Sequence, residues 1–415
     1  MEELKEGWKK VKLGDIIEVQ KGYAFKSKDF LNKGIKIIKV SNLENETINF
    51  LDCACISEEN FEKYKKYALN YKDIIITTVG SWPNNKNSVV GKVVRVPQVN
   101  EKLLLNQNAI RVTALEKYLQ EYIYYALKDS KFKYYIEGVA QGSANQASIT
   151  LEDIKEYELK IPSLKVQKKI VSILSSLDEK IELNRKINQN LEEIAQTLFK
   201  RWFIDFEFPN EEGKPYKSSG GKMIESELGE IPEGWRVGKL GDFIKFIKGK
   251  KPKILVEKED EINKFKYLTI KSINNEEENY CSEEKVIFVS KNEIMMVMDG
   301  ASSGDIYIGK EGILGSTLSK IEIEKSIDWS IIYCLLNYYK NEIKQHNTGS
   351  AIPHTDKNYI ENITFFLPNN GKINYFSKIF KRILLKKIVL EDEVYKLIEL
   401  RDYLLPRLMS GEISV

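Results

Sequence analysis

Residues 7–22 read GWKKVKLGDIIEVQKG, and residues 234–249 read GWRVGKLGDFIKFIKG. Gly7-Trp8, Lys12-Leu13-Gly14-Asp15, Ile17, Lys21 and Gly22 return as Gly234-Trp235, Lys239-Leu240-Gly241-Asp242, Ile244, Lys248 and Gly249, all at one constant offset. Trp occurs only five times in the chain, so a coincidence of this kind is a poor explanation. Further matches keep the same order. Asp73-Ile74 leading to Gly80 is matched by Glu293-Ile294 leading to Gly300, and Gly142-Ser143-Ala144 by Gly349-Ser350-Ala351. Ile161-Pro162 is matched by Leu367-Pro368, and Leu191, Leu198 and Arg201 by Leu397, Leu404 and Arg407. The offset shortens along the chain, so the second copy is shorter in its middle. The period is roughly 200 residues, far longer than that of solenoid repeats, and marks a duplicated domain-plus-helix unit.

Each copy has the same internal order. Short β-like runs cover 35–40, 74–79 and 89–96, and in the second copy 285–289, 294–298 and 306–308, punctuated by Gly, Asn and Ser. Helical stretches follow at 115–127 and 329–344. A Pro then opens a long helix, expected over 163–203 in the first copy and 372–405 in the second. The first helix carries a seam spaced alternately by four and three: Ile170, Leu174, Leu177, Ile181, Asn184, Asn188, Leu191, Ala195 and Leu198. The second seam is Phe376, Phe380, Ile383, Lys387, Leu390, Val394, Leu397, Arg401 and Leu404, also polar midway. At 1.5 Å per residue each helix would be roughly 50–60 Å long. Such helices need a partner, and two of matched length and register should pair with each other. The Gly, Pro, Lys and Ser-rich stretch 208–231 could turn the chain and leave them antiparallel.

The bulk composition bounds the function. The 415 residues exceed one ordinary core, and 42% apolar with 30% charged residues is a globular profile. A net charge of +3 excludes a uniformly basic coat, so a nucleic-acid surface must be a local patch. Four cysteines, with Cys53 and Cys55 one residue apart and Cys281 and Cys334 isolated, make neither a disulfide framework nor a zinc site. Residues 1–5 carry no apolar signal region, and no run approaches the ~20 apolar residues of a membrane span. The expectation is a soluble cytoplasmic protein.

Two similar domains on a rigid spacer suit the reading of two separated half-sites, and unlike domains would read unlike halves. Candidate DNA contacts cluster in the punctuating loops. Lys21, Tyr23, Lys26 and Lys28 form a basic-aromatic stretch, answered in the second copy by Lys248, Lys250, Lys251 and Lys253. Lysines supply phosphate contacts, which fix register without reading sequence. After Gly80 come Trp82, Asn84, Asn85, Lys86 and Asn87, and after Gly300 come Ser302 and Ser303. An amide-rich loop of Gln141, Ser143, Asn145 and Gln146 matches Gln345, His346, Asn347, Thr348, Ser350 and His354. Asn and Gln can bond adenine edges bidentately in the major groove.

With its twice-used Gly-Trp-x3-Lys-Leu-Gly-Asp opening, the Ile161-Pro162-Ser163-Leu164 lead into a helix with Gln167 and Ile170, the paired Gly-Ser-Ala loops and the closing Leu404-Leu405-Pro406-Arg407-Leu408, the chain resembles the specificity subunits of type I restriction-modification systems. The resemblance covers nearly the whole chain. It departs at Val166, where the family usually has Glu, and at Leu367-Pro368-Asn369-Asn370-Gly371, which lacks the Gln. It implies an α+β fold with two mixed target-recognition domains in tandem, separated by two long antiparallel coiled-coil-like helices. The divisions would be 1–160, 161–207 for the central helix, 208–366 for linker and second domain, and 367–415 for the last helix. It also implies a non-catalytic chain that binds double-stranded DNA, docks adenine-N6 methyltransferase subunits and is joined by an ATP-dependent motor-nuclease. S-adenosylmethionine, ATP and magnesium would then belong to those partners, with no cofactor in this chain.

Other chemistries find little material. No Pro-Pro pair is present for an amino-methyltransferase motif, and Gly304 to Glu311 nearly forms a phosphate loop but has Glu311 where a Ser or Thr must ligate magnesium. The only two histidines, His346 and His354, offer little for acid–base catalysis. Asp178-Glu179-Lys180 lies on the long helix, where it reads as a solvated face. The alternatives are a coiled-coil scaffold bearing two modules that do not bind DNA, and a recognition arm for a fused methyltransferase-nuclease.

Overall fold

The computed structural model describes residues 7–44, 47–82, 90–143, 146–282, 286–349 and 352–415. Ile74, Ile75 and Ile76 are each fully buried in the strand Ile74–Thr77. Successive side chains of a strand point to opposite faces. Ile74 and Ile76 therefore join one core with Leu13, Val112 and Tyr122, while Ile75 joins another with Ile38, Val94 and Leu105. An apolar run without alternation is the signature of a strand covered on both sides.

The chain divides into two compact units, residues 1–180 with 397–415, and residues 181–396. In the first unit an antiparallel sheet runs Ile17–Lys21, Ala109–Ala114, Ile74–Thr77, Val93–Arg95. A second sheet runs Ala54–Ile56, Ile35–Ile38, Leu103–Leu105, Ala68–Leu69, with its central pair parallel. Lys9–Lys12 pairs with Glu158–Ile161 and closes the domain on itself. Two helices, α1 (Gln120–Lys128) and α2 (Ser130–Val139), follow the sheets.

The second unit repeats this order strand for strand. Its sheets run Ile244–Lys248, Leu318–Ile323, Ile294–Val297, Ile306–Tyr307, and Tyr280–Cys281, Phe265–Leu268, Gly312–Leu314, Phe288–Val289. The central pair of the latter is again parallel, and Arg236–Lys239 closes on Thr364–Leu367. Ile294 and Met296 face one core, Met295 and Val297 the other. The expected helix at 329–344 is two helices, Trp329–Tyr338 and Lys340–Gln345, and that at 115–127 begins only at Gln120. Residues 89 and 285, expected to start strands, lie outside the described residues.

The repeated Leu-Gly-Asp has a packing cause. Leu13 and Leu240 are fully buried in 3-10 turns. A Cβ on Gly14 would sit 2.8 Å from Cβ of Lys155, and one on Gly241 2.9 Å from Cβ of Glu361. Lys155 and Glu361 lie on short helices, Leu151–Glu156 and Lys357–Glu361, capped by Thr150 and Asp356. The motif is thus a seat for a helix just ahead of the closing strand.

The first long helix, α3, spans Leu164–Phe199 and widens into a π turn at Lys200–Ile204. Gln167, 3% exposed, donates from Nε2 to the Pro162 carbonyl at its start. After Trp329–Tyr338 (α4), the last long helix, α5, spans Asn370–Ser410, and there Asn369 takes over the capping role, accepting from Lys372 N–H. Within the first unit Ile170 and Leu174 share a core with Leu405, Leu408 and Met409. Within the second, Ala195 and Phe199 share one with Phe376, Phe380 and Leu384. The beginning of α3 meets the end of α5, and the end of α3 meets the beginning of α5, so the pairing is antiparallel.

The expected seam needs a correction in register. Ile170, Leu174, Ile181, Phe376, Phe380 and Leu390 are buried, as are Asn184 and Asn188 midway. Leu177, Leu191, Leu198, Ile383, Val394, Leu397 and Leu404 are only half-buried, and Phe199, Leu384, Ile388 and Leu405 take the inward places next to Leu198, Ile383, Lys387 and Leu404. An α-helix turns every 3.6 residues, so a stripe assigned at 3.5 drifts off the interface within a few turns. The stretch 208–231 is also more than a linker. Phe206 and Phe208 are buried, Phe208 stacks on Tyr216 and Trp235, Lys372 Nζ lies 4.5 Å from the Phe208 ring centre, and Met223–Ser226 pairs with Gly229–Pro232.

Candidate nucleic-acid interface

Lys21 and Lys248 end equivalent strands, each followed by a Gly that the fold requires. A Cβ at Gly22 would lie 2.0 Å from the Asn106 carbonyl oxygen, and one at Gly249 2.1 Å from that of Gly315. The neighbouring loop crosses so closely that only Gly fits, and both lysines stay exposed at that crossing.

In the first unit the chain beyond Gly22 forms a basic-aromatic patch. Tyr23 is half-buried among Phe25, Tyr64 and Tyr67, with ring centres 5.0 to 5.1 Å away. Lys26 and Lys28 are exposed around it. The structure adds Lys63, whose Nζ lies 5.0 Å from the Tyr64 ring centre, and exposed Lys66, both missed in the sequence because they sit some forty residues downstream. Tyr23 therefore holds the patch together more than it presents itself.

A second cluster forms from three separate segments. Gln141–Ser143 pairs with Gln146–Ser148, which pairs with Val79–Gly80. This brings Gln141, Ser143 and Gln146, all exposed, beside Trp82, whose indole donates to the Ser143 carbonyl at 2.7 Å. Asn84, Asn85, Lys86, Asn87 and Asn145 lie outside the described residues, as does Ser350 in the second copy.

The second unit builds the equivalent cluster by single bridges: Asp299 pairs with His354, and His354 with Thr348. Lys248, Lys250, Lys251, Lys253 and Gln345 are exposed. Two candidates are corrected. Ser303 is 1% exposed and its hydroxyl donates to the carbonyls of Gly300 and Pro353, so it ties the two loops together. Asn347 is half-buried and donates from Nδ2 to the Ser303 carbonyl. Ser302 is half-buried, its carbonyl accepting from Asp305 N–H. His346 is exposed but stacked at 3.8 Å on Tyr359, with Nδ1 2.9 Å from the Glu342 carbonyl. His354 remains a presented group, its Nδ1 2.7 Å from Oδ1 of Asp299, with Lys248 Nζ 3.6 Å from Oδ2. Asp299 carried no sequence signal, since only the fold sets it beside a histidine 55 residues on.

Each unit also ties its domain to the long helices through a buried tyrosine whose hydroxyl bonds an ion-paired carboxylate. In the first, Tyr125 of α1 donates to Asp178 at 2.7 Å, and Asp178 meets Arg401 at 3.1 Å and Arg95 at 3.6 Å. In the second, Lys387 lies 3.2 Å from Glu192, and the Tyr333 hydroxyl bridges both. Burial and the Asp178 carboxylate push the Tyr125 hydroxyl above its usual range. Burial works against the Lys387 cation, but Tyr333, Glu391 and Glu192 outweigh it and raise that group. Asp178 is therefore a domain anchor on an inward face, not the solvated face expected from its neighbours. Among the described residues no group of three or more His, Cys, Asp or Glu is placed to hold a metal, and no helix is long and apolar enough to cross a membrane.

A duplicated domain with basic, amide-rich loops at the ends of equivalent strands, each copy locked to a long helix, defines the class of two-module nucleic-acid specificity proteins. The chain belongs to the family described as the type I restriction modification DNA specificity domain, whose pattern matches residues 5–193 and again 232–399. It is 29% identical over 331 residues to the type I restriction enzyme MjaIX specificity subunit of Methanocaldococcus jannaschii, covering 75% of this chain and 73% of that protein. It is 38% identical over 152 residues to the MjaVIII specificity subunit of the same organism, 36% of each chain. The crystal structure of a type I system S subunit from M. genitalium shares the fold, with TM-score 0.59 and 18% identity over 98% of both chains. The chain is accordingly a specificity component with two recognition domains, and not an enzyme.

Proposed function

We propose that this chain reads a split, asymmetric DNA target, one half-site per domain, and carries that choice to separate enzymes. The observation that carries it is the identical strand order of the two units, each ending in an exposed lysine and a loop cluster whose side chains differ between copies. Equal scaffolds with unequal loops give equal docking geometry and unequal base preference. On this reading residues 1–160 and 208–366 hold the readers, and the helices of 161–207 and 367–415 set the distance between half-sites and dock adenine-N6 methyltransferase subunits. An ATP-dependent motor-nuclease joins for cleavage, and S-adenosylmethionine, ATP and magnesium reside in those partners. Lys21, Lys26, Lys28, Lys63, Lys248, Lys250, Lys251 and Lys253 take phosphates, while Gln141, Gln146 and His354 face bases.

The test is a base-resolution map of adenine N6 methylation in cells with and without the gene. Loss of one bipartite motif, its halves unlike, supports the reading. An unchanged map in cells whose methyltransferase is active refutes it. Binding of the purified chain to a duplex carrying the motif should weaken steeply with salt, as counterion release demands.

A further inference from the structure

Asp299 stands where a DNA-binding face should not hold an acid. Lys248 Nζ lies 3.6 Å from its carboxylate, and Lys250, Lys251 and Lys253 are exposed on the segment that follows Lys248, cations suited to phosphate. A carboxylate beside Lys248 repels phosphate, so its place calls for a different partner. Its side chain is 28% exposed, that of His354 51% and that of Lys248 60%, so all three can reach a ligand. They are also held. His354 exchanges both backbone hydrogen bonds with Thr348 at 2.7 and 2.8 Å, and Gly300 N–H donates to the Pro353 carbonyl at 2.9 Å. Asp299 Oδ1 takes Nδ1 of the imidazole at 2.7 Å. The first copy has Val79 at the matching place and no histidine in its half of the chain, so the trio belongs to the second domain alone.

We propose that Asp299, His354 and Lys248 form the base-reading element of the second recognition domain, selecting an amino-bearing base, adenine or cytosine, in its half-site. This inference rests on the DNA-reading function proposed above and deepens it. The carboxylate accepts the Nδ1 proton of the imidazole. In the neutral ring this leaves the Nε2 lone pair free, and both it and the remaining carboxylate oxygen are acceptors. In the major groove the amino groups of adenine N6 and cytosine N4 are the donors, whereas guanine and thymine present acceptors. A guanine or thymine at this position would set acceptor against acceptor and leave both unpaired. Lys248 offsets the carboxylate charge and is placed for a flanking phosphate.

The experiment is selection of binding sequences by the full-length chain from a random duplex library at low salt, compared with Asp299→Asn and His354→Phe. His354 is an exposed side chain, so its variant keeps the test usable if Asp299→Asn destabilises the loop; thermal unfolding reports on both. The wild-type chain should demand adenine or cytosine at one position of one half-site. The variants should relax that position about 10- to 100-fold and leave the other half-site unchanged. Removing the amino group from the duplex, with purine for adenine or 2-pyrimidinone for cytosine, should weaken the wild type by a similar factor and the folded variants hardly at all. Folded variants that keep the wild-type preference at every position overturn the inference alone, as does a wild type indifferent to the missing amino group. A wild-type chain that enriches no motif overturns the DNA-reading function, and the inference with it.

Discussion

A single methyl group at position 249 separates two meanings of the repeated Lys-Gly. If the Gly served DNA, Gly249→Ala would change binding and spare folding. Its Cβ would instead lie 2.1 Å from the Gly315 oxygen, so the strand crossing must open. The expected cost is about 1–3 kcal/mol, as for overpacking of a well-fitted site. For a unit of this size that lowers the melting temperature by roughly 2–10 °C, readable by calorimetry. An unchanged melting temperature would return the Gly to a functional role. The repeat itself was legible in the sequence, and so were the exposed lysines Lys21 and Lys248. The reason for the glycines was not, because Asn106 and Gly315 approach only after two sheets are folded. Ser303 shows the same limit: as Ser it reads like a loop donor, yet its hydroxyl is spent on Gly300 and Pro353. Asp299 was invisible for the converse reason, since its chemistry depends on His354 arriving by tertiary structure.

At the scale of elements, two kinds of ion pair separate. Lys10–Glu158 joins exposed side chains, and a surface pair of this kind is worth about 0–1 kcal/mol. Asp178–Arg401 joins side chains only 11% and 10% exposed, with Arg95 and Tyr125 on the same carboxylate. Asp178→Ala takes the shared carboxylate from Arg95 and leaves Arg401 with the exposed Asp402, and the expected loss is about 3–5 kcal/mol. Replacing Arg401 by Met in the same chain should restore part of it. Chemical denaturation of the wild type and the two variants checks both statements, and a loss below about 1 kcal/mol would mean that water screens the site. Sequence periodicity found both helices and their pairing partners. It missed that Phe199 and Leu405, rather than Leu198 and Leu404, face inward, because a one-dimensional spacing rule cannot hold phase over ten turns. It also missed that 208–231 is folded, since the aromatic stack of Phe208, Tyr216 and Trp235 uses residues scattered among turn formers.

The two units, alike in topology, differ in their carboxylates, and acid should tell them apart. In the second unit burial pushes Asp305 and Glu293 up, but hydrogen bonds from Lys340 and Lys344, and from Lys320, outweigh it and hold both below the usual range. Glu278 is held down chiefly by Lys266. A carboxyl depressed in the folded state stabilises above its unfolded value and loses that contribution as pH falls toward its folded value. In the first unit Glu121 behaves this way, burial being outweighed by Lys72, but burial raises Asp73, so Asp73 favours the fold on protonation and opposes the loss. Between about pH 4.5 and 3 residues 181–396 should lose hydrogen-exchange protection before residues 1–180, after correction for intrinsic rates. Protection lost first from the N-terminal unit would contradict this assignment of charges.

For the whole molecule the proposed reading makes the two recognition domains independent of each other. The second domain closes on itself through Arg236–Lys239 and Thr364–Leu367, and its cores draw on residues of its own unit. Exchange at these ends keeps the strand pairs inside the domain together and leaves only Leu367, the last residue of the closing strand, native opposite position 236. Replacing residues 222–366 with the matching segment of another specificity protein should therefore alter one half of the methylated motif and leave the other half and the gap unchanged. The helical residues on either side, Phe199 and Phe203 with Phe376 and Phe380, stay native in the exchange, so the receiving core keeps its aromatic contacts. The readout is the methylation map of cells carrying the hybrid gene. A change in both halves would mean that each domain senses the whole target, and the one-domain-per-half reading would have to be abandoned.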